Sequence, residues 1–514
     1  MKKRALVSVF NKEGIVDFAQ ELTQKYDYEI ISTGATYKLL KENNIQVTEV
    51  KDITGFAEML NGKVKTLHPS IYAGILANTS NQNESAQIEA AKITPIDMVV
   101  VNFYPFEEVA DRDIELEDLI KNIDIGGPCM LRAAAKNFER VVPVSSPCQY
   151  NLVLNELAER KGQTGADFRR DLALEVFKKT SEFDSIILNT LSEKFVNDES
   201  LASEYFSMVA KKKQDLRYGE NPHQKAAIYS NDSLLDFEIL NGKELSYNNL
   251  LDMTAASNIV SEFYDVCAVA IVKHNAPCGV ALGKDIKEAY EKAFDCDPIS
   301  AFGGIVAFSQ VVSEDLAKLL SAVFLEVLIA PDYTPKALEV LKQKKNLRIV
   351  KLNTPLSDYK NYLEKEVKVT PFGTLVQQSD KADLDKDTFS VVSKLKPTAE
   401  MIEDMIFAWK VVKHSKSNAI VIAKDFKAIG ISQGQTSRID AVENALNRAC
   451  DGSKDAVLAS DGFFPAIDNI QAAAQGRIAA IIQPGGSIKD KEVIETADKY
   501  KIVMITTGIR HFKH

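Results

Sequence analysis

The chain has 514 residues, of which 45% are hydrophobic and 26% are charged, a composition that excludes collagen-like, coiled-coil and disordered chains. Its 62 basic and 72 acidic residues give a formal charge of −10. We therefore expect no general nucleic-acid binding, which usually needs a basic excess. The net charge does not exclude binding of small anionic ligands, because a pocket on an acidic protein can still be basic.

The chain length and the cysteines indicate the number of domains and the redox environment of the protein. At about 150 residues per domain, the chain predicts two to four domains. Six cysteines without a C-x-x-C pair predict neither a disulfide framework nor a zinc site, and they favour a reduced, cytoplasmic setting. The apolar stretch Ala5 to Phe10 is too short for a signal peptide. No uncharged apolar run approaches the ~20 residues of a membrane span, so no membrane association is expected.

The first 150 or so residues alternate between strand and helix patterns. Apolar residues from Ile15 to Leu22 follow helical spacing, and a short helix is predicted through Leu40. This alternation predicts a parallel sheet with helices on both faces. A long helix is predicted from Ala166 to Phe195, and the polar segment 197–204 is the predicted linker. The predicted strands are 5–10, 28–32, 98–103 and 141–144.

The remainder, 205–514, is predicted to contain a repeat. Val272-Lys273-His274 recurs as Val412-Lys413-His414, an offset of 140 residues (412 minus 272). Lys284-Asp285 recurs as Lys424-Asp425 at the same offset, and helical patterns precede both copies. Short matches also arise by chance, but two in one register favour duplication. We therefore predict two α/β halves at about 205–365 and 366–514.

Two motifs of the first domain suggest phosphate binding. Ser32-Thr33-Gly34 lies where a strand becomes a helix, so free backbone N–H groups and a helix dipole would favour an anion there. Its simpler interpretation is a helix cap. Lys63 and Lys65 would share a face in an extended segment, where two ammonium groups repel unless an anion lies between them. The alternative is a solvated basic strand.

Two further motifs suggest chemistry near the same ligand. Asp124 precedes two glycines and a helical stretch, so it is either a general base or only a helix cap, and Lys136 lies further along that helix. Tyr104 follows a predicted strand, where open α/β sheets bind ligands; its alternative role is packing. Together the four motifs indicate an anionic, phosphorylated small molecule.

The second domain offers an acid–base pair. Lys273 and His274 follow an apolar strand, and an imidazole beside an ammonium suits proton transfer near neutral pH. The alternative is a histidine satisfied within the core. Pro277-Cys278-Gly279 resembles part of a zinc deaminase site, but H-x-E and a cysteine at 281 are lacking, so no catalytic zinc is expected.

Other residues of the second domain could bind ligands. Arg217 could hold a phosphate, and Asp461 precedes two aromatic residues that could hold a flat heterocycle. Arg510 and His514 crowd the terminus, and they could act only if that terminus docks into the body of the protein.

An ordered set of motifs from about residue 5 to the last residue resembles the bifunctional AICAR transformylase/IMP cyclohydrolase family: STGAT, KVKTLHP, NFYPF, DIGGP, LRAAAKN, RYGENPHQ, LSYNNLLD, KHNAPCG, DPISAFGG, SNAI, GQTSR, SDGFFP, QPGGS and RHFKH. The resemblance implies formyl transfer from 10-formyltetrahydrofolate to AICAR, then dehydrative closure of formyl-AICAR to IMP. These are the last two steps of de novo IMP synthesis.

The resemblance also implies an architecture and partners. Residues 1–196 would be a cyclohydrolase with a methylglyoxal-synthase-like parallel sheet over about 1–150. Residues 205–514 would be a transformylase of two cytidine-deaminase-like α/β halves without zinc. A homodimer with the transferase site at the subunit interface is expected. No catalytic metal is implied, and a structural monovalent cation is possible.

Carried over by motif, the resemblance assigns roles to individual residues. The catalytic ones would be Lys273 and His274 for formyl transfer, and Lys65, Tyr104, Asp124 and Lys136 for ring closure. The cyclohydrolase ligand would contact Ser8, Lys12, Ser32, Thr33, Gly34, Lys63, Thr66, Gly126 and Gly127. The transferase ligands would contact Arg217, Tyr218, Asn249, Phe302, Gly303, Asn418, Asp461, Arg510 and His514.

Some positions depart from the usual family pattern, and we expect them to change affinities more than activities. They are Phe10 for serine, Lys63 for arginine, Ala276 for asparagine, His414 for an aromatic residue, and Ser432-Gln433 for glycine-alanine. Two alternatives to bifunctional catalysis stay open. Only one site could be active, or the chain could be a non-catalytic purine-nucleotide sensor.

Overall fold

The computed structural model describes residues 2–60, 62–110, 112, 114–195, 205–230, 236–360, 362–384 and 389–514. The chain forms two compact units, Met1–Val209 and Ala210–His514. The predicted linker 197–204 lies outside the described residues, so its place as the boundary stays a prediction. Across the described ranges, no helix is both long and apolar enough to cross a membrane.

The first unit is built on a five-stranded sheet in which every pairing is parallel, in the order β3-β2-β1-β4-β5. Its strands are β1 (Lys3–Val9), β2 (Tyr28–Ser32), β3 (Val47–Glu49), β4 (Met98–Asn102) and β5 (Val142–Val144). Its helices are α1 (Ile15–Tyr26), α2 (Gly34–Glu42), α3 (Val50–Thr54), α4 (Pro69–Leu76), α5 (Gln82–Ala90), α6 (Glu107–Ala110), α7 (Leu116–Lys121), α8 (Gly126–Lys136), α9 (Tyr150–Glu159) and α10 (Ala166–Phe195).

Helices cover both faces of this sheet, as the alternating sequence pattern predicts. Phe18 of α1 and Leu157 of α9 belong to the core on one face, and Ile71 of α4 and Leu131 of α8 to the core on the other. Strand β4 is a continuous apolar run for the same reason, since a parallel strand is buried on both sides. The long helix α10 has the predicted bounds.

The second unit contains a twelve-stranded sheet in the order β16-β21-β20-β19-β17-β18-β10-β9-β11-β12-β13-β8, and two separate hairpins. Its strands are β6 (Lys211–Leu216), β7 (Ala226–Ser230), β8 (Phe237–Asn241), β9 (Cys267–Lys273), β10 (Ala276–Gly283), β11 (Ile305–Phe308), β12 (Val327–Ala330), β13 (Arg348–Leu352), β14 (Lys365–Thr370), β15 (Gly373–Gln378), β16 (Ser390–Val391), β17 (Ile420–Lys424), β18 (Lys427–Ser432), β19 (Val457–Ser460), β20 (Ala480–Gln483) and β21 (Val503–Thr506).

Helices flank this large sheet. They are α11 (Tyr247–Ser261), α12 (Ile286–Phe294), α13 (Pro298–Ala301), α14 (Glu314–Ala322), α15 (Pro335–Leu341), α16 (Leu356–Tyr359), α17 (Ala399–Lys413), α18 (Arg438–Ala449), α19 (Asp468–Gln475) and α20 (Asp490–Tyr500). From the centre outward, the first half runs β10-β9-β11-β12-β13-β8 and the second runs β18-β17-β19-β20-β21-β16. Because both halves place corresponding strands in corresponding positions, the unit consists of two α/β halves with one topology.

The predicted register of the repeat is wrong. The β9–β10 turn contains His274 and Asn275, and the β17–β18 turn contains Asp425 and Phe426, all with positive φ between 53° and 59°. The offset is therefore 151 residues (425 minus 274), not 140. Val412-Lys413-His414 ends helix α17, whereas Val272-Lys273 ends a strand, so that sequence match joins elements that are not equivalent.

Candidate active sites

In the first unit, predicted ligand-binding residues lie at the carboxyl ends of the parallel strands. Ser8 lies near the end of β1, Ser32 ends β2, and Tyr104 follows β4. Ser32 is buried and its hydroxyl donates to the Val7 carbonyl oxygen at 2.7 Å, so it also joins neighbouring strands. Strand order reverses between β1 and β4, which is where open α/β sheets bind ligands.

The turn before α4 brings two helix N-termini together. A Cβ atom at Gly34, the first residue of α2, would lie 2.9 Å from the Lys65 Nζ. A Cβ atom at Gly126, the first residue of α8, would lie 3.0 Å from the Thr66 hydroxyl oxygen. Thr33 caps α2 without a side-chain hydrogen bond, so the first N–H groups of that helix are available to a ligand. Positive helix ends beside an ammonium group would attract an anion.

Lys12 adds a second ammonium group to this site. Its Nζ donates to the Val9 carbonyl and to the Thr36 hydroxyl, the latter at 3.0 Å. Burial, and then the charge of Lys65, lower the pKa of Lys12. This repulsion between Lys12 and Lys65 would be relieved by an anion between them, such as a phosphate.

Asp124 is the carboxylate of this site. Its Oδ1 accepts the Gly127 N–H at 3.3 Å, so it caps the first turn of α8 as well as facing the site. Burial raises its pKa, although the Gly127 and Gly126 N–H groups and Lys65 oppose that shift. A Cβ atom at Gly127 would lie 2.5 Å from the Asp124 Oδ2, so this close approach requires glycine. Asp124 is therefore a helix cap, and its role as a general base stays a prediction.

An aromatic pair borders the same edge of the sheet. The Phe10 and Tyr104 rings lie 4.5 Å apart, and Phe10 is half exposed. Asn102, the last residue of β4, accepts the Phe10 and Asn11 N–H groups at 2.7 and 2.8 Å through its side-chain oxygen. Sequence reasoning missed Asn102, although the motif NFYPF contains it.

Two residues predicted for the cyclohydrolase site, Lys63 and Lys136, do not lie with the site residues described above. Lys63 is exposed in a turn rather than in the predicted extended segment. The prediction failed because the chain reverses here through the Met59–Val64 bridge. Lys136 is exposed at the last residue of α8, about 15 Å along the helix axis from Gly126.

In the second unit, most predicted residues lie at one edge of the large sheet. β9 and β18 run in one direction and β17 in the other, and β19 runs antiparallel to β17. The end of β9, the start of β11, the start of β17 and the end of β19 therefore share an edge. This edge contains Lys273, Phe302, Gly303, Asn418 and Asp461. Lys273 ends β9 and Asp461 directly follows β19, and these two strands are four steps apart, about 19 Å at the usual strand spacing.

Lys273 is held against the segment before β11. Its Nζ donates to the Phe302 carbonyl oxygen at 2.8 Å. Gly303 adopts a φ of 73° and donates its N–H to the Phe324 carbonyl, so this turn favours glycine. His274 is exposed in the adjoining turn, where its imidazole is accessible to a ligand.

Asn418 and Asp461 belong to a buried network. Asp461 is fully buried, and it accepts hydrogen bonds from Arg438 and from the Ala419 N–H, the latter at 3.0 Å. Arg438 also donates to the Asn418 side-chain oxygen at 2.7 Å. The network therefore orients Asn418, whose peptide bond with Ser417 is cis. Arg438 was not singled out from the sequence, although it ends the motif GQTSR.

The C-terminal segment is docked. His511 is buried, its backbone N–H donates to the Asp461 carbonyl at 3.1 Å, and its Nδ1 pairs with Asp380 at 2.5 Å. The Arg510 guanidinium lies 4.3 Å from the Phe512 ring. Docking places Arg510 beside Asp461, while His514 is exposed at the end of the chain.

Three other predicted residues serve local roles here. Asn249 is buried in the capping box of α11 with Ser246 and donates to Glu326 at 3.2 Å. Arg217 lies 5.5 Å from the Tyr218 ring, beyond β6. Among the described residues, no hydrogen bond or ion pair joins Arg217 to Lys273.

Comparison with known proteins identifies the family of the chain. A model described as the MGS-like domain matches residues 14–129, and one described as the AICARFT/IMPCHase bienzyme matches residues 134–448. Proteins named bifunctional purine biosynthesis protein PurH are 50% identical in Caldicellulosiruptor saccharolyticus, 49% in Brachyspira hyodysenteriae and 47% in Bacillus cereus, each over 100% of both chains. The chain therefore belongs to the AICARFT/IMPCHase bienzyme family.

Proposed function

We propose that the chain catalyses the last two steps of IMP synthesis at two separate sites. The second unit would transfer a formyl group from 10-formyltetrahydrofolate to AICAR. The first unit would close formyl-AICAR to IMP with loss of water. The observation that carries this proposal is the full-length similarity to proteins named as bifunctional in purine biosynthesis.

Formyl transfer needs one proton removed and one supplied. The AICAR amine forms a bond to the formyl carbon while the bond from that carbon to the folate nitrogen breaks. We assign His274 to accept the amine proton, because its imidazole is exposed in the turn beside Lys273 and histidine is the commonest general base in enzymes. Lys273, anchored on the Phe302 carbonyl, would help deliver a proton to the folate nitrogen.

Ring closure needs mainly a fixed conformer and charge stabilisation. The carboxamide nitrogen attacks the formyl carbon of the same molecule, so little entropy is lost in bringing the two reacting atoms together. Lys65 and the N-terminus of α8 would stabilise the developing oxyanion. Asp124 would accept the proton of the attacking nitrogen and return it to the oxygen of the resulting carbinolamine. That hydroxyl group would then leave as water while the former formamide nitrogen loses its proton, and Tyr104 would border the closing ring. Lys12 and the N-terminus of α2 would hold the phosphate.

The proposal includes a cytoplasmic homodimer with the transferase site at its interface. The β14–β15 hairpin supports a subunit contact, because Phe372 at its tip is fully exposed and Val369 is 81% exposed. Exposed apolar residues in such a group are typical of interaction surfaces. We assign no residues to a monovalent cation, and no step of the proposal uses one.

One incubation tests both activities. Pure protein is mixed with AICAR and 10-formyltetrahydrofolate, and the purine products are separated by chromatography. IMP together with tetrahydrofolate is the expected result. Formyl-AICAR alone would show a failed cyclohydrolase. Binding of AICAR without turnover, and no closure of supplied formyl-AICAR, would instead support a nucleotide sensor.

A further inference from the structure

We propose that Asp252 is a positioning residue for formyl transfer, and that its carboxylate fixes the turn that presents His274. This inference rests on the proposed function, because it concerns the same transferase site. Asp252 lies in the second turn of α11, and its side chain contacts the β9–β10 turn.

The backbone N–H groups of the β9–β10 turn need a hydrogen-bond acceptor from outside the hairpin. His274 and Asn275 both adopt left-handed backbone conformations, with φ of 55° and 59°. Their N–H groups lie in the hairpin loop, outside the β9–β10 ladder that resumes at Ala276. The Asn275 N–H donates to the Asp252 Oδ1 at 2.5 Å, and the His274 N–H also hydrogen-bonds to this carboxylate. One side chain therefore satisfies both loop donors.

The carboxylate also interacts with the imidazole. Burial raises the pKa of Asp252, while the loop N–H groups and the charge of His274 oppose that shift. Lys273 on the adjoining strand, and Glu326 beyond Asp252, are the other charged groups next to this pair.

The repeat supplies an internal control. Asp404 of α17 accepts the N–H groups of Asp425 and Phe426 at 2.9 and 2.8 Å, in the equivalent turn of the second half. That turn lies at the opposite edge of the sheet, because β17 runs antiparallel to β18 and β18 is parallel to β9. Loss of Asp404 therefore removes the same two hydrogen bonds at a place where no catalytic histidine stands.

The test compares Asp252→Ala, Asp252→Asn and Asp404→Ala in the full chain. We expect Asp252→Ala to lower kcat for formyl transfer about 10- to 100-fold with KM for AICAR little changed, since misplacement of a reacting group costs rate rather than binding. Asp252→Asn keeps an oxygen acceptor for both N–H groups and is expected to restore most of that loss. Asp404→Ala should lower the melting temperature about as much as Asp252→Ala does, while its kcat for formyl transfer stays within about twofold of wild type.

The outcomes separate this inference from the proposed function. Equal kcat in Asp252→Ala and Asp404→Ala, measured on folded protein, would overturn the positioning role. Failure of Asp252→Asn to recover any rate would also contradict it. Absence of formyl transfer in the wild-type protein would instead overturn the proposed function. Closure of supplied formyl-AICAR checks that the first unit is intact in each variant.

Discussion

Lys273 and His274 are the two side chains on which the transferase proposal depends. Substitution of His274 by alanine is expected to lower formyl transfer roughly 10²- to 10⁴-fold, the usual contribution of an acid–base group. Lys273→Met should do the same, because Lys273 would protonate the departing folate nitrogen. Closure of supplied formyl-AICAR should stay at the wild-type rate, since it uses the other unit. Parallel loss of both reactions would contradict the assignment of two sites.

Asp124 allows the corresponding test in the first unit. Asp124→Asn is expected to lower ring closure by roughly 10²-fold or more and to leave formyl transfer unchanged. Because burial raises the pKa of Asp124, the acidic limb of the wild-type rate should lie above the 3.8 of an ordinary aspartate. Activity should rise with pH through that limb, as the carboxylate forms. A wild-type profile without such a limb would argue against Asp124 as the base.

At the scale of elements, the two halves of the second unit share one close contact between strand and helix. A Cβ atom at Gly279 of β10 would lie 2.0 Å from the Ala293 carbonyl oxygen of α12. At Gly430 of β18, the corresponding distance to the Ala445 carbonyl of α18 is 2.3 Å. Each glycine therefore lets a helix pack directly on its strand.

Alanine at either glycine should be costly. We expect Gly279→Ala and Gly430→Ala each to lower the free energy of unfolding by about 3 kcal/mol, because the backbone must move to admit the methyl group. Gly452→Ala is the matched control, since its Cβ atom would meet only the end of Ile429 at 3.4 Å. Urea unfolding measures all three, and equal midpoints for the three variants would show that the contact is unimportant.

The ends of α11 and α17 meet in a buried ionic cluster. Glu262, which follows α11, pairs with Lys413 at 2.9 Å, His414 at 3.1 Å and Lys360 at 3.0 Å. His414 is the structural counterpart of Glu262 in the repeat (414 minus 262 gives 152). Burial alone would raise the pKa of Glu262, but His414 and Lys413 hold it well below its usual range. Burial lowers the pKa of His414 to about 4.

This cluster should make stability depend on pH. The pKa values of both groups are lower in the folded state than in the unfolded state, so the folded protein loses stability as pH falls. The contribution of His414 is lost below about pH 6.5, and that of Glu262 is lost below about pH 4.5. Glu262→Gln should cost about 3 kcal/mol near pH 7, because it leaves buried cations unpaired, and should flatten the acidic dependence. Glu314→Gln, at an exposed pair, should change little. Unfolding curves from pH 2 to 8 provide the measurement.

For the whole molecule, the β14–β15 hairpin is the place to test assembly. Val367, Val369 and Val376 share one face of the hairpin, and Phe372 lies at its tip. Phe372→Asp should weaken the proposed dimer and make formyl transfer fall on dilution, while ring closure per chain stays constant. Lys368→Asp, on the other face, is the control. Light scattering gives the mass, and a wild-type monomer with full transferase activity would exclude an interface site.

Several features of the molecule follow from sequence alone. Strands such as β4 and the long helix α10 are continuous local patterns, so their positions could be predicted from neighbouring residues. The ordered motifs also indicated the family, because each is a short run whose residues act together. In the first unit they marked Gly34, Lys65 and Asp124, which the structure brings to one edge of the sheet.

Other features depend on contacts between residues far apart in the chain. Neither the exposure of Lys63 nor the placement of Lys136 at the far end of α8 can be read from spacing. The repeat was detected, but its register was misassigned, because three identical residues carry less information than the turn, glycine and cap positions that the two halves share. Arg438 pairs with Asp461, and Asp252 with Asn275, 23 residues away in each case. Sequence determined which elements and chemical groups are present, whereas only the tertiary structure decided which groups meet, since that depends on strand order and direction.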